Sequence, residues 1–120
     1  MKVVVTAQGR KADSEIDERF GRCGYLLFYD TDTGDFAAHE NSKNLNAAQG
    51  AGIQTAAAVS RLGAEYVITG HCGPKAFAVL QSANIKVIVG VTGKADKAIA
   101  ELTAGKLREV AQSDVDGHWK

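Results

Sequence analysis

The residues best equipped for chemistry stand together at Gly70-His71-Cys72-Gly73-Pro74-Lys75. His71 offers an imidazole, Cys72 a soft sulfur and Lys75 a cation. The β-branched run Val67-Ile68-Thr69 leads in and stops abruptly, and Pro74 opens a stretch with apolar residues at Phe77, Ala78 and Leu80, so the six residues read as a turn from a strand into a helix. Pro74 suits the first helical position, where no N–H is needed. Gly70 and Gly73 let the backbone approach whatever lies above it. A turn at the carboxyl end of a strand gathers free backbone N–H groups and the positive end of the helix dipole, which makes it a cradle for an anion. Sterics alone also put Gly and Pro in such turns. The His-Cys pair and Lys75 are what favour a ligand.

More cations come from the long polar stretch between Gln8 and Cys23, which carries Arg10, Lys11, Arg19 and Arg22. It is too long for a tight turn, and long loops in compact domains are more often functional than idle. Asp13, Glu15, Asp17 and Glu18 offset its positive charge, so a solvated surface loop is the competing reading. Phe20, between two charged stretches, argues that part of this loop folds down. Cys23 and Cys72 lack a C-x-x-C spacing, which argues against a redox dithiol or a structural zinc site and for reduced thiols. The stretch Gly90-Val91-Thr92-Gly93-Lys94 lacks the G-x-x-x-x-G-K-[ST] spacing of a phosphate loop, which excludes a nucleoside triphosphatase. No nucleophile, base and orienting group can be placed together, so a hydrolytic enzyme is disfavoured.

These residues need a scaffold, and 120 residues with 45% hydrophobic but only 7% aromatic content suit one Ala/Val-rich α/β layer structure. Formal net charge is zero, so nothing global points to nucleic acid or an anionic membrane. No apolar run reaches bilayer length and no signal-peptide pattern precedes the first strand, so the expectation is a cytoplasmic protein.

Lys2 to Ala7 reads as a central strand, Tyr25 to Asp30 and Phe36 to Glu40 as a hairpin across Thr31-Asp32-Thr33-Gly34, and Ile85 to Val89 as a final buried strand. Helices are expected from Ala47 to Arg61, with Ile53, Ala57 and Leu62 approximately on one apolar face, from Pro74 to Ser82, and from about Lys94 to Thr103. Gly63 is placed as a C-terminal cap, and Gly50 and Gly52 give the first helix a start open to close approach of another backbone or a ligand. Asn41 to Asn46 reads as polar and turn-rich. Periodicity is lost from Leu107, Gln112 to Gly117 reads as exposed, and Trp119 could dock locally or serve a partner. The expected domain spans residues 1–108, with a tail over 109–120.

The right-handed crossover rule makes both later strands parallel to the first, giving a five-stranded mixed sheet with helices on its faces. That topology matches a ribonuclease-H-like three-layer fold. Nuclease chemistry needs clustered carboxylates to hold two metal ions. The first strand, the first helix and the Thr69-Gly70-His71 strand end supply none.

The stretches Asp17-Glu18-Arg19-Phe20-Gly21-Arg22, Thr69-Gly70-His71-Cys72-Gly73-Pro74-Lys75-Ala76-Phe77 and Asn84-Ile85-Lys86-Val87 resemble the dinitrogenase iron–molybdenum cofactor biosynthesis family over nearly the whole chain. R-F-G-R and G-x-x-G-P at this separation form a fairly specific pair. The family includes nitrogenase accessory proteins and small stand-alone carriers of a molybdenum–copper sulfide cluster, and this single-domain length is similar to the latter. The resemblance implies a ribonuclease-H-like fold and a carrier or assembly chaperone without catalytic turnover. Its cargo would be an anionic molybdenum–copper sulfide cluster or an iron–molybdenum cofactor precursor, exchanged with a donor or acceptor protein.

A thiometallate cluster is a bulky anion with sulfur on its surface, suited by helix-end N–H groups, a few cations and adjacent apolar surface. The expected cluster-binding residues are Arg19, Arg22, Gly70, His71, Cys72, Gly73, Pro74 and Lys75, with Cys72 and His71 as candidate metal ligands. One thiolate suits Cu(I) but is fewer ligands than most iron–sulfur sites use, and a lone cysteine is also an ordinary small hydrophobe. His71 could equally be a turn residue bonded to backbone. The long N-terminal loop and Asn41 to Asn46 are expected to close over the site and order on binding. The competing reading is a small regulatory or protein-interaction module without a metal cluster.

Overall fold

The computed structural model describes residues 1–41 and 50–111. Five strands form one mixed sheet in the order β3-β2-β1-β4-β5: β1 (Lys2–Ala7), β2 (Tyr25–Asp30), β3 (Phe36–Glu40), β4 (Tyr66–Ile68) and β5 (Lys86–Ile88). Three α-helices follow among the described residues: α1 (Ala51–Arg61), α2 (Pro74–Ser82) and α3 (Ala95–Thr103). β1 pairs antiparallel with β2 (Val4 opposite Phe28) and parallel with β4 (Val4 opposite Val67). β2 and β3 are antiparallel, and β4 and β5 parallel.

The period of two along each strand divides the core in two. Val4, Leu26, Val67 and Val87 face one side, where Ala56 and Val59 of α1 and Ala76, Phe77 and Leu80 of α2 cover them. Val3, Val5, Leu27, Ile68 and Ile88 face the other, under Ala95, Ala98 and Leu102 of α3. Helices therefore flank both faces, in three layers. β1 can be buried on both faces because Val and Thr occupy it from Val3 to Thr6.

Gly63 ends α1 as expected, and α2 and α3 close in the same way. Gly63 after α1 and Gly105 after α3 take φ of 77° and 76°, and Asn84 after α2 takes 60°, the left-handed conformation that closes a helix C-terminus. Two expectations for α1 need correction. It begins at Ala51 after left-handed Gly50, and residues 47–49 lie outside the described residues. Its buried side chains are Ala51, Thr55, Ala56 and Val59, and Leu62 packs half-buried against the core as expected, whereas Ile53 is exposed. The helix packs closely through small residues, and that turns Ile53 outward.

Past α3 the chain stays docked to the body: the Val110 N–H donates to the Val87 carbonyl at 2.8 Å and Gln81 Nε2 to the Ala111 carbonyl at 3.3 Å. Residues 42–46, the stretch 112–117 and Trp119 lie outside the described residues. No helix among the described residues is long and apolar enough to cross a membrane.

Candidate functional site

The polar stretch after β1 folds back over the carboxyl ends of the parallel strands, the edge where open α/β sheets take ligands. The Glu15 carbonyl accepts from the Gln8 N–H at 2.9 Å, and the N–H groups of Ile16 and Asp17 donate to the carbonyls of Gly93 and Thr6 at 2.8 and 2.9 Å. Thr6 Oγ1 lies 2.8 Å from both the Asp17 carbonyl oxygen and Thr69 Oγ1, in a fully buried pair of threonines at the ends of β1 and β4. Beyond Asp17 the segment joins the turn after β4. The His71 N–H donates to the Glu18 carbonyl at 2.7 Å and the Phe20 N–H to the His71 carbonyl at 3.2 Å, and Phe20 is buried in the core as expected.

The two sequence motifs thus build one object, and glycine is required at two of its joints. A Cβ on Gly70 would stand 2.7 Å from Glu18 Cα, and a Cβ on Gly21 would stand 2.8 Å from the backbone N and Cα of Gly52. Gly52 lies in the first turn of α1 and Ala76 in the first turn of α2, and a Cβ on Gly52 would meet the Ala76 Cβ at 3.3 Å. The amino-terminal ends of α1 and α2 therefore meet beneath the 3-10 turn Phe20–Arg22. Among the described residues neither end has a side-chain cap: Gly50 precedes one helix and Gly73 the other, and no acidic residue occupies either first turn. Pro74 stands at the start of α2. The remaining first-turn amides lie outside the intrahelical ladder and present partial positive charge.

Three cationic residues stand beside this junction along the chain. Arg22 directly follows Gly21, Lys75 is exposed in the first turn of α2, and Arg19 is bridge-paired to His71. Arg19 is 61% exposed and sits 3.5 Å from Oδ1 of the buried Asp17, which also accepts the Arg19 N–H at 3.1 Å. Asp17 therefore holds the Nε edge of the Arg19 guanidinium while most of the side chain stays exposed. Gly73 has extended backbone, and His71 is half-buried.

Cys72 is placed differently from its neighbours. It has no exposed surface and belongs to the core with Phe20, Ala76 and Phe77, its Sγ 3.8 Å from the Gly73 carbonyl. A metal at Sγ would have to enter that core layer. Among the described residues no three His, Cys, Asp or Glu side chains are grouped to hold a metal ion. Cys23 is buried too, and burial, with help from the charge of Asp17, pushes its thiol up to about 12.

Two features went unseen in the sequence. An open cleft of about 640 Å³, with Gln8, Glu15, Asp17, Glu18, Arg19 and Arg22 among its lining residues, lies along the folded-back segment. Its charges read locally as a solvated loop, and only the non-local pairing of residues 15–20 shapes them into a wall. The second is Asn41, buried with its Nδ2 at 3.0 Å from the Cys23 carbonyl and 3.1 Å from Thr55 Oγ1.

Fold and site together define an α/β protein whose sheet edge carries a doubled, uncapped helix start with cationic residues beside it along the chain. The chain belongs to the dinitrogenase iron-molybdenum cofactor family, whose model matches residues 1–105. Its structure is similar to that of the apo form of the orange protein from Desulfovibrio gigas, at 31% identity over 95% of this chain and 96% of that one, with a TM-score of 0.93. A putative NifB protein from Thermotoga is similar at 29% identity over 97% and 98% of the two chains, with a TM-score of 0.82. An uncharacterized protein from Methanocaldococcus jannaschii is 26% identical over 99 residues, 81% of this chain and 84% of its own length.

Proposed function

We propose that this chain binds an anionic metal–sulfur cluster of molybdenum–copper sulfide or iron–molybdenum type and carries it to or from a partner protein, as a carrier or assembly chaperone without catalytic turnover. The observation that supports this reading is the meeting of two uncapped helix starts, α1 and α2, under a turn that carries Arg22, with Arg19 and Lys75 beside it. A cluster of several negative charges is too large for one oxyanion hole, and two converging helix ends present donors over a wider front. Membership of a family whose model is named for the dinitrogenase iron-molybdenum cofactor supports the same cargo class.

In this reading residues 1–108 form the cluster-binding domain, 109–120 its tail, and the architecture is ribonuclease-H-like, with a strand order suited to a site at the carboxyl edge of β1 and β4. First-turn amides of α2 and the backbone around Gly70 and Gly73 donate to cluster sulfide, Arg19, Arg22 and Lys75 neutralise charge, and His71 contacts the cluster at the rim. Cys72 supports the turn from below, and its burial favours holding of the cargo by the cradle over a thiolate bond.

The test is anaerobic titration of the protein with tetrathiomolybdate, with and without Cu(I), followed by desalting, visible absorption and metal analysis. Stoichiometric retention by the wild type and by Cys72→Ala, with loss in an Arg22→Glu, Lys75→Glu double variant, is the expected result. An intact circular dichroism spectrum with no retained metal would sink the molybdenum–copper form, and loss in Cys72→Ala alone would restore the thiolate.

A further inference from the structure

Asn41 follows the last residue of β3 and has almost no exposed surface. Its backbone N–H donates to the Gly24 carbonyl at 2.9 Å, and its Nδ2 donates to the Cys23 carbonyl at 3.0 Å and to Thr55 Oγ1 at 3.1 Å, with Cys23 Sγ at 3.4 Å. Thr55 is also fully buried, on the inner face of α1, and its hydroxyl reaches the Gly21 carbonyl through a longer contact of 3.5 Å. The donors run in one direction: Asn41 to Thr55, Thr55 to Gly21. Each neighbour of Nδ2 can accept, which fixes the orientation of the amide.

This polar chain lies in a layer otherwise filled by Phe20, Cys23, Leu26 and Ala56, where a broken hydrogen bond leaves a costly unpaired group. What it joins is specific. One end is α1, one turn beyond its uncapped start; the other is the stretch 21–24, which carries Arg22 and rests on Gly52. Packing of Gly21 on Gly52 sets how near the turn lies to the helix, but two glycines without side chains cannot fix its rotation. The Asn41 and Thr55 hydrogen bonds can.

We infer that Asn41, acting through Thr55 and the Cys23 carbonyl, is a positioning residue that holds the Phe20–Arg22 turn against α1, so that Arg22 faces the anion site before cargo arrives. This rests on the cluster-carrier reading, because Arg22 is the group being positioned. Preorganisation removes an ordering cost at the moment of binding, so its loss should appear in retention of cargo more than in the fold.

The experiment compares wild type, Asn41→Leu, Thr55→Val, Thr55→Ser, Arg22→Gln and the Thr55→Val, Arg22→Gln pair. Asn41→Leu keeps the size and removes the donor, and unless it too weakens retention and speeds exchange at Gly21 to Gly24 the role of Asn41 is overturned. It measures tetrathiomolybdate–Cu(I) retention, amide hydrogen exchange of Gly21 to Gly24 in the free protein, and urea stability. Thr55→Val keeps the shape and removes the hydroxyl. It should speed exchange at Gly21 to Gly24 and weaken retention by about tenfold, roughly what one buried hydrogen bond is worth. Thr55→Ser restores the hydroxyl and should restore both readouts. If Thr55 acts through Arg22, the double variant is no weaker than Arg22→Gln alone; additive losses overturn the inference. Unchanged exchange at Gly21 to Gly24 in Thr55→Val also overturns it. A wild type that retains no chromophore overturns the carrier reading and the cargo role of Asn41 with it, while exchange in the free protein still reports separately whether the hydrogen bonds hold the turn.

Discussion

Two glycines bear on the site through lack of a side chain alone. Gly70 and Gly21 do not need left-handed backbone, since neither has positive φ; they need room, since a Cβ would come within 2.7 to 2.8 Å of the backbone of Glu18 or Gly52. Backbone cannot swing aside as a flexible side chain can. Gly70→Ala and Gly21→Ala should each lower stability by about 1–3 kcal/mol in urea unfolding, the usual range for overpacking. At exposed Gly34 the penalty for Ala would instead be conformational, from a φ of 81° in open space. Cys23 gives a prediction in pH. Burial holds its thiol at about 12 against an ordinary value of 9.0, so between those values only the unfolded chain gives up the proton. The stabilisation is complete below about pH 9 and is lost as pH rises toward 12. The urea midpoint of the wild type should therefore fall more steeply between about pH 8.5 and 11 than that of Cys23→Ala. Tyr29, also held at about 12 by burial, shifts both proteins alike and cancels. Parallel slopes would refute the assignment.

The helix starts show how stability and binding diverge at the level of elements. An acidic residue in the first turn of a helix normally stabilises it by about 0.3–1 kcal/mol, yet α1 and α2 have none there and lack side-chain caps as well. α3 does carry Asp96 in its first turn. Lys75→Glu should accordingly raise the urea midpoint of the free protein slightly while weakening retention of thiometallate by an order of magnitude or more. Falling stability together with falling retention would mean that Lys75 serves the fold. Much of this was legible in the sequence, because strand alternation, Pro74, Gly63 and Gly105 are local signals. R-F-G-R and G-x-x-G-P could be recognised as a pair, but the reason for the pairing could not. Gly21 meets Gly52, and Gly70 meets Glu18, across long stretches of chain, and a glycine in sequence does not name what approaches it. The same limit hid the buried face of α1, where Ile53 outranks Thr55 in hydrophobicity but Thr55 is the residue with buried partners.

Across the whole molecule the formal charges cancel, so no long-range field draws an anion to the protein and attraction must be local. Locally, two kinds of positive charge meet: exposed side chains at Arg19, Arg22 and Lys75, and helix-end amides anchored in the body of the domain. Salt separates them. Screening acts over about 10 Å at 0.1 M and about 3 Å at 1 M, and it weakens exposed charges far more than buried or directly contacting donors. Raising salt across that range should reduce thiometallate retention without abolishing it, and the Arg22→Gln, Lys75→Gln pair should bind more weakly at low salt but with a flatter salt dependence than the wild type. Convergence of the two curves at high salt would identify the remaining affinity as that of the amide cradle. Complete loss of retention in the wild type at high salt would instead give the holding role to the side chains alone and leave the meeting of α1 and α2 a feature of packing.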